Sequence, residues 1–461
     1  MWRRRLIDAL FLAALLMFDV AAAEQTPLLV DVTVNYRHQG VSLLLSDGND
    51  RYLASTLDLE KWGVQGPYHD LIEYMGRQYS PLSSIDGIEV DYDSSQASIA
   101  LEFPSRLLGL QHASVRRLDT PSPASSTGMY LDYDWSYIEE YESYSTGLIA
   151  PTYFSPLGAL HTQVLYRGYD LSFADPELAD PWVRLDTTFT RDLPEKMRSL
   201  RVGDVVSRSG PWGGALRIGG VQIASNFATQ PSFVTFPVPS MFGETRLPST
   251  LDLYVDGRLR YQQDLAPGSF RIDDIPVVTG SGQMQMVVTD ILGREHTYTQ
   301  EFYASPQLLR TGLSEYSYTL GAIRKNFGSA SNDYGEAALL ATHRYGVNDR
   351  LTAGARAELG RDRQHVSGTA DWSPRDTGVL TAGVGLSWSE FGRGVAWNLG
   401  YQYVAPRFRV SAQALGTSRD FKLIGVDPYQ APPKTQIMLS GGWSGGIRGS
   451  IGLTLRAAGL S

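Results

Sequence analysis

Residues 248–302 read PSTLDLYVDGRLRYQQDLAPGSFRIDDIPVVTGSGQMQMVVTDILGREHTYTQEF. Apolar residues occupy every second position before the first turn, at Leu251, Leu253 and Val255. This two-residue period is typical of a half-buried β-strand. Turn-forming residues follow at four places, namely Asp256-Gly257, Pro267-Gly268, 280–282 and Leu292-Gly293. The stretch predicts a compact, sandwich-like β-domain of about 55 residues, near the lower size limit for a self-sufficient core.

Long amphipathic strands are predicted on both sides of this domain. Apolar and polar residues alternate over segments of about ten residues, at 129–137, 183–190, 351–359, 380–388, 395–403 and 447–456. Such strands suit a transmembrane β-barrel, which turns one face to lipid and the other to water. The 46 Gly and 25 Tyr and the low charged fraction of 19% also favour a barrel. The alternative is an array of soluble sandwiches, whose strands are usually only about 5–6 residues long.

The first 23 residues have the three parts of a secretory signal. Basic residues at 3–5 precede an apolar run at 6–18, and the small residues 21–23 predict cleavage before Glu24. The apolar run is shorter than the roughly 20 residues that a transmembrane helix needs. No later apolar run reaches that length, so any membrane-spanning part is predicted to be a closed barrel.

Residues 24–118 predict a separate α+β domain, and the Pro/Ser-rich segment 119–127 predicts a linker after it. Alternation at 28–36 predicts a strand, with Gly40 as the break before a second strand at 41–45. Residues 56–60 predict a short helix that ends at Trp62-Gly63. The predicted fold class is therefore mainly β: a transmembrane antiparallel barrel, an inserted β-sandwich and an N-terminal α+β domain.

Composition argues against several kinds of site. The chain has no cysteine, which excludes disulfides and thiolate metal sites. Asp91 and Asp93 resemble the start of a calcium loop, but the glycine and terminal glutamate of an EF-hand are missing. A net charge of −9 argues against nucleic acid as a partner, and no phosphate-binding P-loop motif is present. We therefore expect no metal, cofactor or nucleotide.

A G-x-S-x-G motif occurs at 442–446. In esterases this motif needs a strand–turn–helix setting and a later histidine. No histidine follows His365, and the surrounding sequence is rich in glycine. We interpret the motif as a chance match and assign no catalytic residue, with a barrel-embedded esterase as the alternative from another class.

Seven phrases that run in order along the chain resemble the fimbrial outer-membrane usher family. They are LRVGD (200–204), ALRIGGVQIASN (215–226), FATQPSFVTFPVP (227–239), LPSTLDLYVDG (247–257), PGSFRIDDIP (267–276), VVTDILGR (287–294) and FYASPQLLRTGLSEYSYTL (302–320). The resemblance covers residues from about 128 to at least 330. It implies an outer-membrane barrel with a plug domain inserted between strands. By this resemblance, 128–245 are the first barrel strands, 246–304 the plug and 305–461 further strands.

The resemblance also implies the residues that shape the gate. Turn residues of the plug are Pro248, Asp256, Gly257, Pro267, Gly268, Asp274 and Gly293. The segment 215–239 is implied to be a barrel hairpin that curls inward beside the plug. Its turn-forming residues are Gly219, Gly220, Asn226, Pro231 and Pro237.

An usher is implied to recruit periplasmic chaperone–pilin complexes, to catalyse ordered donor-strand exchange between subunits, and to export the fibre. The implied partners are those complexes, pilus subunits, a tip adhesin and outer-membrane lipid. The chain would lie in the outer membrane of a Gram-negative bacterium, with its N-terminal and plug domains accessible to the periplasm. Chaperone–subunit binding is implied within 24–118, at residues that the sequence does not identify. The alternative is a passive porin or a plugged nutrient transporter.

The chain departs from the usual family pattern in three ways. The phrase P-G-x-Y-x-V-D-I-Y-x-N-G is absent, and DLEKWG (58–63) and YSPL (79–82) look like the divergent ushers of archaic, spore-coat-type pili. The family's C-terminal cysteine pair is also absent. After the plug, about 150 residues predict ten to twelve strands, too few for a barrel of roughly two dozen. We expect a C-terminally truncated or split usher, with completion by a separate chain as the alternative.

Overall fold

The computed structural model describes residues 25–48, 50–114, 126–139, 143–168, 180–374, 377–426, 434–446 and 449–459. The predicted signal at 1–23 and most of the predicted linker at 119–127 lie outside these ranges. The chain forms two compact units. The first comprises 1–115, 240–275 and 284–300, and the second comprises 116–239, 276–283 and 301–461.

Seven strands form the N-terminal part of the first unit: β1 (Thr26–Val34), β2 (Arg37–Ser46), β3 (Tyr52–Ser55), β4 (Ile72–Tyr74), β5 (Arg77–Pro81), β6 (Glu89–Asp93) and β7 (Ser98–Glu102). They make one sheet in the order β4-β5-β3-β2-β1-β7-β6, with β1 and β7 parallel. The helices are α1 (Thr56–Lys61) and the 3₁₀ helices Leu82–Ser84 and Ser105–Leu107. Leu59 and Trp62 from the helical segment pack on Val32, Leu44 and Leu101 of the sheet, so this segment has a core of its own.

Helix α1 confirms the predicted helix and its glycine stop. The Ser55 hydroxyl accepts a hydrogen bond from the Asp58 amide at 3.1 Å, as an N-cap does. Trp62 is the C-cap, and Gly63 follows with a φ of +84°.

The predicted break at Gly40 is wrong. The turn between β1 and β2 lies at Asn35 and Tyr36, with φ values of +44° and +65°, whereas Gly40 lies inside β2 opposite Val32. Asparagine tolerates this backbone conformation. The buried Asn35 side chain also exchanges two hydrogen bonds of 2.8 Å with the backbone of Phe103, so a distant strand end stabilises the turn.

The rest of the first unit is the inserted domain, together with a short strand from the N-terminal part. The strands are β8 (Gln111–Ser114), β15 (Met241–Thr245), β16 (Ser249–Val255), β17 (Arg258–Leu265), β18 (Gly268–Asp273), β19 (Gly280–Asp290) and β20 (Glu295–Ala304). They form two sheets, in the orders β17-β16-β19-β20 and β15-β18-β8.

These sheets correct two predictions for the inserted domain, one about where it begins and one about a turn. The predicted barrel range 128–245 includes 241–245, but these residues form β15, which pairs antiparallel with β18 from Met241–Ile272 to Thr245–Gly268. The predicted turn at 280–282 is the start of β19. In both cases a cross-strand partner distant in sequence overrides the local signal.

The second unit is one sheet of fifteen strands among the described residues. The strands before the insertion are β9 (Gly128–Glu139), β10 (Ser143–Ser155), β11 (Gly158–Arg167), β12 (Trp182–Leu193), β13 (Arg198–Val206) and β14 (Arg217–Ser225). Those after it are β21 (Ser314–Arg324), β22 (Tyr334–Asn348), β23 (Leu351–Gly360), β24 (Arg363–Trp372), β25 (Val379–Ser389), β26 (Gly392–Val404), β27 (Phe408–Thr417), β28 (Thr435–Ser444) and β29 (Ser450–Gly459). Consecutive strands pair antiparallel, and β14 pairs directly with β21.

Nine described strands follow the insertion, fewer than the ten to twelve predicted. Four of these strands, β21, β22, β25 and β26, exceed ten residues, with 15 in β22, and connections such as 325–333 take up further residues. The large antiparallel sheet itself confirms the mainly β fold class.

The two faces of the large sheet confirm the predicted alternation. On β23, Thr352, Arg356 and Glu358 are buried, whereas Leu359 on the other face is 43% exposed. The same inversion recurs on β26, where Asn398 is 4% exposed and Leu399 is 57% exposed. We call the face with the buried polar residues the polar face, and the other the apolar face. Exposed apolar residues over a whole sheet face are typical of a surface that contacts lipid.

Three glycines lie side by side across β13, β14 and β21. Gly203 is paired with Gly220, and Gly220 with Gly321. A Cβ on Gly220 would lie 2.1 Å from the Leu320 carbonyl oxygen, and one on Gly321 would lie 2.3 Å from the Gly219 oxygen. No side chain fits at these positions. The glycines therefore allow the backbones of β14 and β21 to lie closer together than a residue with a Cβ would permit.

We expect Gly321→Ala to destabilise the large sheet by about 1–3 kcal/mol, because the new methyl group must displace the backbone of β14. Urea unfolding in detergent micelles, followed by tryptophan fluorescence, measures the change. Gly441→Ala on β28 is the matched control, since no atom lies within 4 Å of the Cβ position there. Equal midpoints for the two variants would contradict the prediction.

Candidate functional site: the inserted domain and the polar face of the large sheet

The inserted domain lies between β14 and β21 in the chain, and this position bears on function. Strands β14 and β21 are hydrogen-bonded to each other from Ile218–Ile323 to Ala224–Ser317. The chain nevertheless leaves the sheet after β14 and returns only at β21. The sheet is therefore continuous without the inserted domain, and the segments 226–239 and 305–313 connect the domain to β14 and β21 along the chain.

The predicted turn residues of the inserted domain lie in turns. Asp256 and Gly257 have φ values of +50° and +75° and form a two-residue hairpin turn between β16 and β17, as predicted. The other members lie at the ends of strands: Pro267 precedes β18, Gly268 begins it and Asp274 follows it, Gly293 lies between β19 and β20, and Pro248 precedes β16. These residues therefore mark where the strands of the inserted domain begin and end.

The turn that contains Gly293 is organised by Asp290, which the sequence analysis did not single out. The Asp290 carboxylate accepts hydrogen bonds from the amides of Leu292 and Arg294 at 2.9 and 3.0 Å, and from the Arg294 guanidinium at 2.7 Å. Burial raises the pKa of Asp290, but the bonds from Arg294 and Leu292 outweigh it and hold the pKa below its usual value. The turn therefore favours the charged carboxylate.

The predicted hairpin at 215–239 is wrong. Gly219 and Gly220 lie inside β14, whose neighbours are β13 and β21. Asn226 directly follows that strand; its backbone N–H donates to the Met197 carbonyl oxygen at 2.7 Å, and its side-chain amide donates to the Ser199 hydroxyl at 2.7 Å. Beyond it, 227–239 contains only the 3₁₀ turn Phe227–Thr229. The prolines there, Pro231, Pro237 and Pro239, lack the N–H that a ladder needs.

Within the first unit, β8 joins the N-terminal segment to the inserted domain. It pairs parallel with β18, from Gln111–Phe270 to Ser114–Asp273. The Gln111 side chain adds two bonds to the backbone of Ala266, one donated at 2.7 Å and one accepted at 3.1 Å. A Cβ on Gly268 would lie 3.1 Å from the Leu108 Cβ, so glycine permits this contact. The pairing joins segments far apart in the chain, so no local pattern of the sequence indicates it.

On the polar face, charged residues form a ladder across four strands. Arg344 on β22 bonds Glu315 on β21 at 2.8 Å and Asp371 on β24 at 3.1 Å. To reach β24 the arginine crosses β23 at Gly354, where a Cβ would lie 3.3 Å from the Arg344 Cγ. Arg208 extends the ladder with a 2.5 Å ion pair to Glu315. Glycine at 354 thus allows the ladder to bridge a strand.

The returning connection of the inserted domain is fastened to the same face. The Gln307 side chain donates to Gln402 at 2.5 Å, and its carbonyl accepts a bond from Arg344. Just before the connection, Tyr303 of β20 stacks on Tyr403 near the end of β26, with 5.6 Å between ring centroids. A polar cavity of about 530 Å³ adjoins this connection. The connection is thus fixed to β22 and β26, at positions where the sequence shows no motif.

Other sites considered in the sequence are not formed. Ser444 of the G-x-S-x-G motif ends β28, and the glycines after it form a turn toward β29, which is not a strand–turn–helix setting. Asp93, the last residue of β6, accepts hydrogen bonds from the Ser95 amide and hydroxyl and so stabilises the turn that follows. The described residues contain no group of three or more His, Asp or Glu that could hold a metal. None of the helices described is long and apolar enough to cross a membrane.

These features define a class: a large antiparallel sheet with an exposed apolar face, a polar face and a β-domain inserted between two paired strands. Residues 169–413, more than half of the chain, match the family described as "Outer membrane usher protein". The chain belongs to the outer membrane usher family. Members of this family are non-enzymatic translocation pores of the outer membrane of Gram-negative bacteria.

Curated relatives are similar over part of their length. The chain is 29% identical over 163 residues to the usher FimC of Bordetella pertussis, covering 35% of this chain and 18% of that protein. It is 23% identical over 241 residues to YehB of Escherichia coli K12, covering 50% of this chain and 28% of that protein. The chain thus matches less than a third of either relative's length.

A solved structure has a similar fold. The E. coli P pilus tip assembly intermediate PapC-PapD-PapK-PapG in its second conformation superposes with a TM-score of 0.54 at 15% identity. The match covers 93% of this chain and 57% of the solved chain. The similarity supports the fold alone.

We expect Gln111→Ala to loosen the pairing of β8 with β18, because it removes two hydrogen bonds worth about 1–3 kcal/mol together. Hydrogen exchange of residues 268–273 should accelerate by roughly 5–100-fold in the full chain. Gln262→Ala, at an exposed glutamine of β17, is the matched control and should leave this exchange unchanged. Unchanged exchange in Gln111→Ala would show that the backbone pairing alone holds β8.

Proposed function

We propose that this protein is an usher of the chaperone–usher pathway, which recruits chaperone–pilin complexes, orders their donor-strand exchange and exports the fibre. The observation that carries the proposal is the insertion of a compact β-domain between two strands that pair directly. Such a domain can move without breaking a single ladder bond of the large sheet, since β14 and β21 remain paired. In a sheet that spans a membrane, this freedom matters because unpaired backbone groups are costly in lipid.

We propose that the inserted domain is the plug of the pore. The charged and amide side chains of the polar face are those of a wet channel wall, which needs a gate to preserve the permeability barrier. Fastening of the returning connection at Gln307 and Tyr303 supports a plug that moves about a fixed tether.

The N-terminal domain is proposed as the recruitment site for chaperone–subunit complexes in the periplasm. It has its own core, and it follows the predicted secretory signal. The solved assembly with a similar fold contains PapC together with PapD, PapK and PapG, which makes pilus subunits and their chaperone the partners to test first. The divergent phrases at 58–63 and 79–82 favour an archaic, spore-coat-type pilus.

A passive porin or plugged nutrient transporter is the second candidate. The polar face alone would suit either protein. The position of the inserted domain within the strand series favours the usher, because a nutrient transporter of that kind carries its plug at the N-terminus of the chain.

Removal of 248–302 from the full-length gene product should raise the uptake of large antibiotics and dyes, because the polar face loses its gate. Susceptibility to such antibiotics and dye influx in cells with matched amounts of protein measure the change. Deletion of the exposed turn residues 256–257 is the control, since it shortens one hairpin and leaves the domain in place. Unchanged uptake after the larger deletion would remove the plug role.

The isolated N-terminal domain, residues 24–118, should bind chaperone–subunit complexes more tightly than free chaperone. A recruitment site must prefer the loaded chaperone, or empty chaperone would occupy it. Isothermal titration calorimetry with both ligands measures the ratio of affinities, and we expect at least about a tenfold preference, or 1.4 kcal/mol. Equal affinities, or no binding of either ligand, would rule out the recruitment role.

A further inference from the structure

The apolar face of the large sheet carries a groove that crosses β24 to β28. Its volume is about 610 Å³, which lies within the roughly 300–1,000 Å³ of ligand pockets in proteins. Four alanines line the groove, namely Ala370 of β24, Ala382 of β25, and Ala412 and Ala414 of β27. The groove exists because these small side chains lie among large apolar ones on the same face.

Strand pairing places the lining residues in two neighbouring rows. In the first row Ala370 is paired with Ala382, Ala382 with Leu399, and Leu399 with Ala414. The second row, next to it, consists of Trp372, Leu380, Tyr401, Ala412 and Leu439. The two rows share one path across five strands, with the small residues at its bottom and the large ones at its sides.

This path leads from the edge of the sheet into its apolar face. Trp372 is the last residue of β24 and Leu380 is the second of β25. Ala412 is the fifth residue of β27, and Leu439 is the sixth from the end of β28. The second row therefore moves five residues away from the strand ends, or about 17 Å along a strand at about 3.4 Å per residue.

The edge where the groove begins is the edge that carries the insertion, since consecutive strands are antiparallel. Its turns include 156–157, 349–350 and 405–407, whereas the opposite edge carries the longer connections 168–181 and 418–434. Short turns of outer-membrane barrels face the periplasm. The groove therefore begins at the periplasmic leaflet of the membrane, which consists of phospholipids.

Aromatic rings beside the groove are held in place by the sheet. The Tyr401 hydroxyl donates to the Thr377 carbonyl at 2.7 Å, and a Cβ on Gly378 would lie 3.0 Å from the Tyr401 ring. Deeper in the sheet, the Trp397 ring lies over Gly416, where a Cβ would be 2.4 Å from the indole nitrogen. The groove is thus formed in advance, which lowers the entropic cost of filling it.

The chemistry of the lining favours an acyl chain over a protein partner. Thr381 and Gln413 border the groove, but they alternate with its apolar residues and so turn their side chains to the polar face, where Thr381 donates to Asp371 at 2.7 Å. Interfaces between proteins in a membrane use hydrogen bonds between polar side chains as well as close packing. An acyl chain needs only van der Waals contact. Trp372 and Tyr401 lie at the edge of the sheet, where such rings meet lipid headgroups.

We propose that the groove is a phospholipid site, in which one acyl chain of a lipid from the periplasmic leaflet lies against Ala382, Ala412 and Ala414. The headgroup of this lipid lies beside Trp372 and Tyr401. The chain gains contacts on several sides of the groove, so the bound lipid exchanges more slowly than lipids on the rest of the apolar face. The site requires neither the inserted domain nor a pilus subunit, and its test is independent of the proposed function.

Retention of lipid tests the site. The full-length gene product is purified in a mild detergent with added phosphatidylethanolamine, washed extensively, and measured by native mass spectrometry. We expect one retained phospholipid per chain. Ala382→Phe and, independently, Ala412→Phe place a ring in the groove and should each lower the retained fraction by at least about tenfold.

Val384→Phe is the matched control for these variants. Val384 lies on the same face of β25 as Ala382 and is 64% exposed, but it does not line the groove. Its replacement adds the same ring to the lipid-facing surface and should leave retention unchanged. The proposal is overturned if the unmodified protein retains no phospholipid, if it retains lipopolysaccharide in its place, or if the two groove variants retain as much as the control.

Photo-crosslinking in whole cells distinguishes a lipid from a protein in the groove. Leu399, at the side of the groove, is 57% exposed, and p-benzoylphenylalanine at this position should form lipid adducts and no protein adduct. An adduct with a second copy of the chain, or with another protein of discrete mass, would assign the groove to a protein and overturn the proposal.

Discussion

Backbone hydrogen bonding is the constraint on which the rest of this structure depends. A sheet with one apolar, exposed face can contact lipid only if its N–H and C=O groups are paired strand to strand. In the large sheet, strands β10–β14 and β21–β28 each pair on both sides. The ladder continues from β14 to β21 although a whole domain separates them in the chain. The insertion is therefore tolerated because it leaves the ladder intact.

A second constraint acts on the polar face, namely the space available to its long side chains. Its long side chains must cross neighbouring strands to find partners, and glycine makes this possible at Gly354, over which Arg344 reaches Asp371. Glycines at 385 and 394 serve a different purpose, since a Cβ there would lie 3.1 Å from the Trp212 ring and 2.1 Å from the Phe421 Cα. Glycine on the polar face thus leaves room for an ion pair between strands at one position and for a packed connection at others.

Local signals in the sequence predicted much of the fold. The alternation along 351–359 and 395–403 determined both the strands and their faces, because a strand turns successive side chains to opposite sides. The helix at Thr56–Lys61 was predictable from its cap, and the Asp256-Gly257 hairpin from the positive φ that this pair accepts. The family was identifiable from phrases that occur in order, of which 247–257 is one.

What the sequence by itself determined, then, was which segments are strands, which face of each is apolar, and where a compact domain interrupts the series. Only the tertiary structure decided that 241–245 belong to that domain, that β8 extends its sheet, and that 207–216 and 418–426 fold over the polar face. The physical reason is the range of the interactions. Alternation and turn preferences act between neighbours in the chain, whereas strand partners and docking contacts join residues far apart, and many partners compete for each edge.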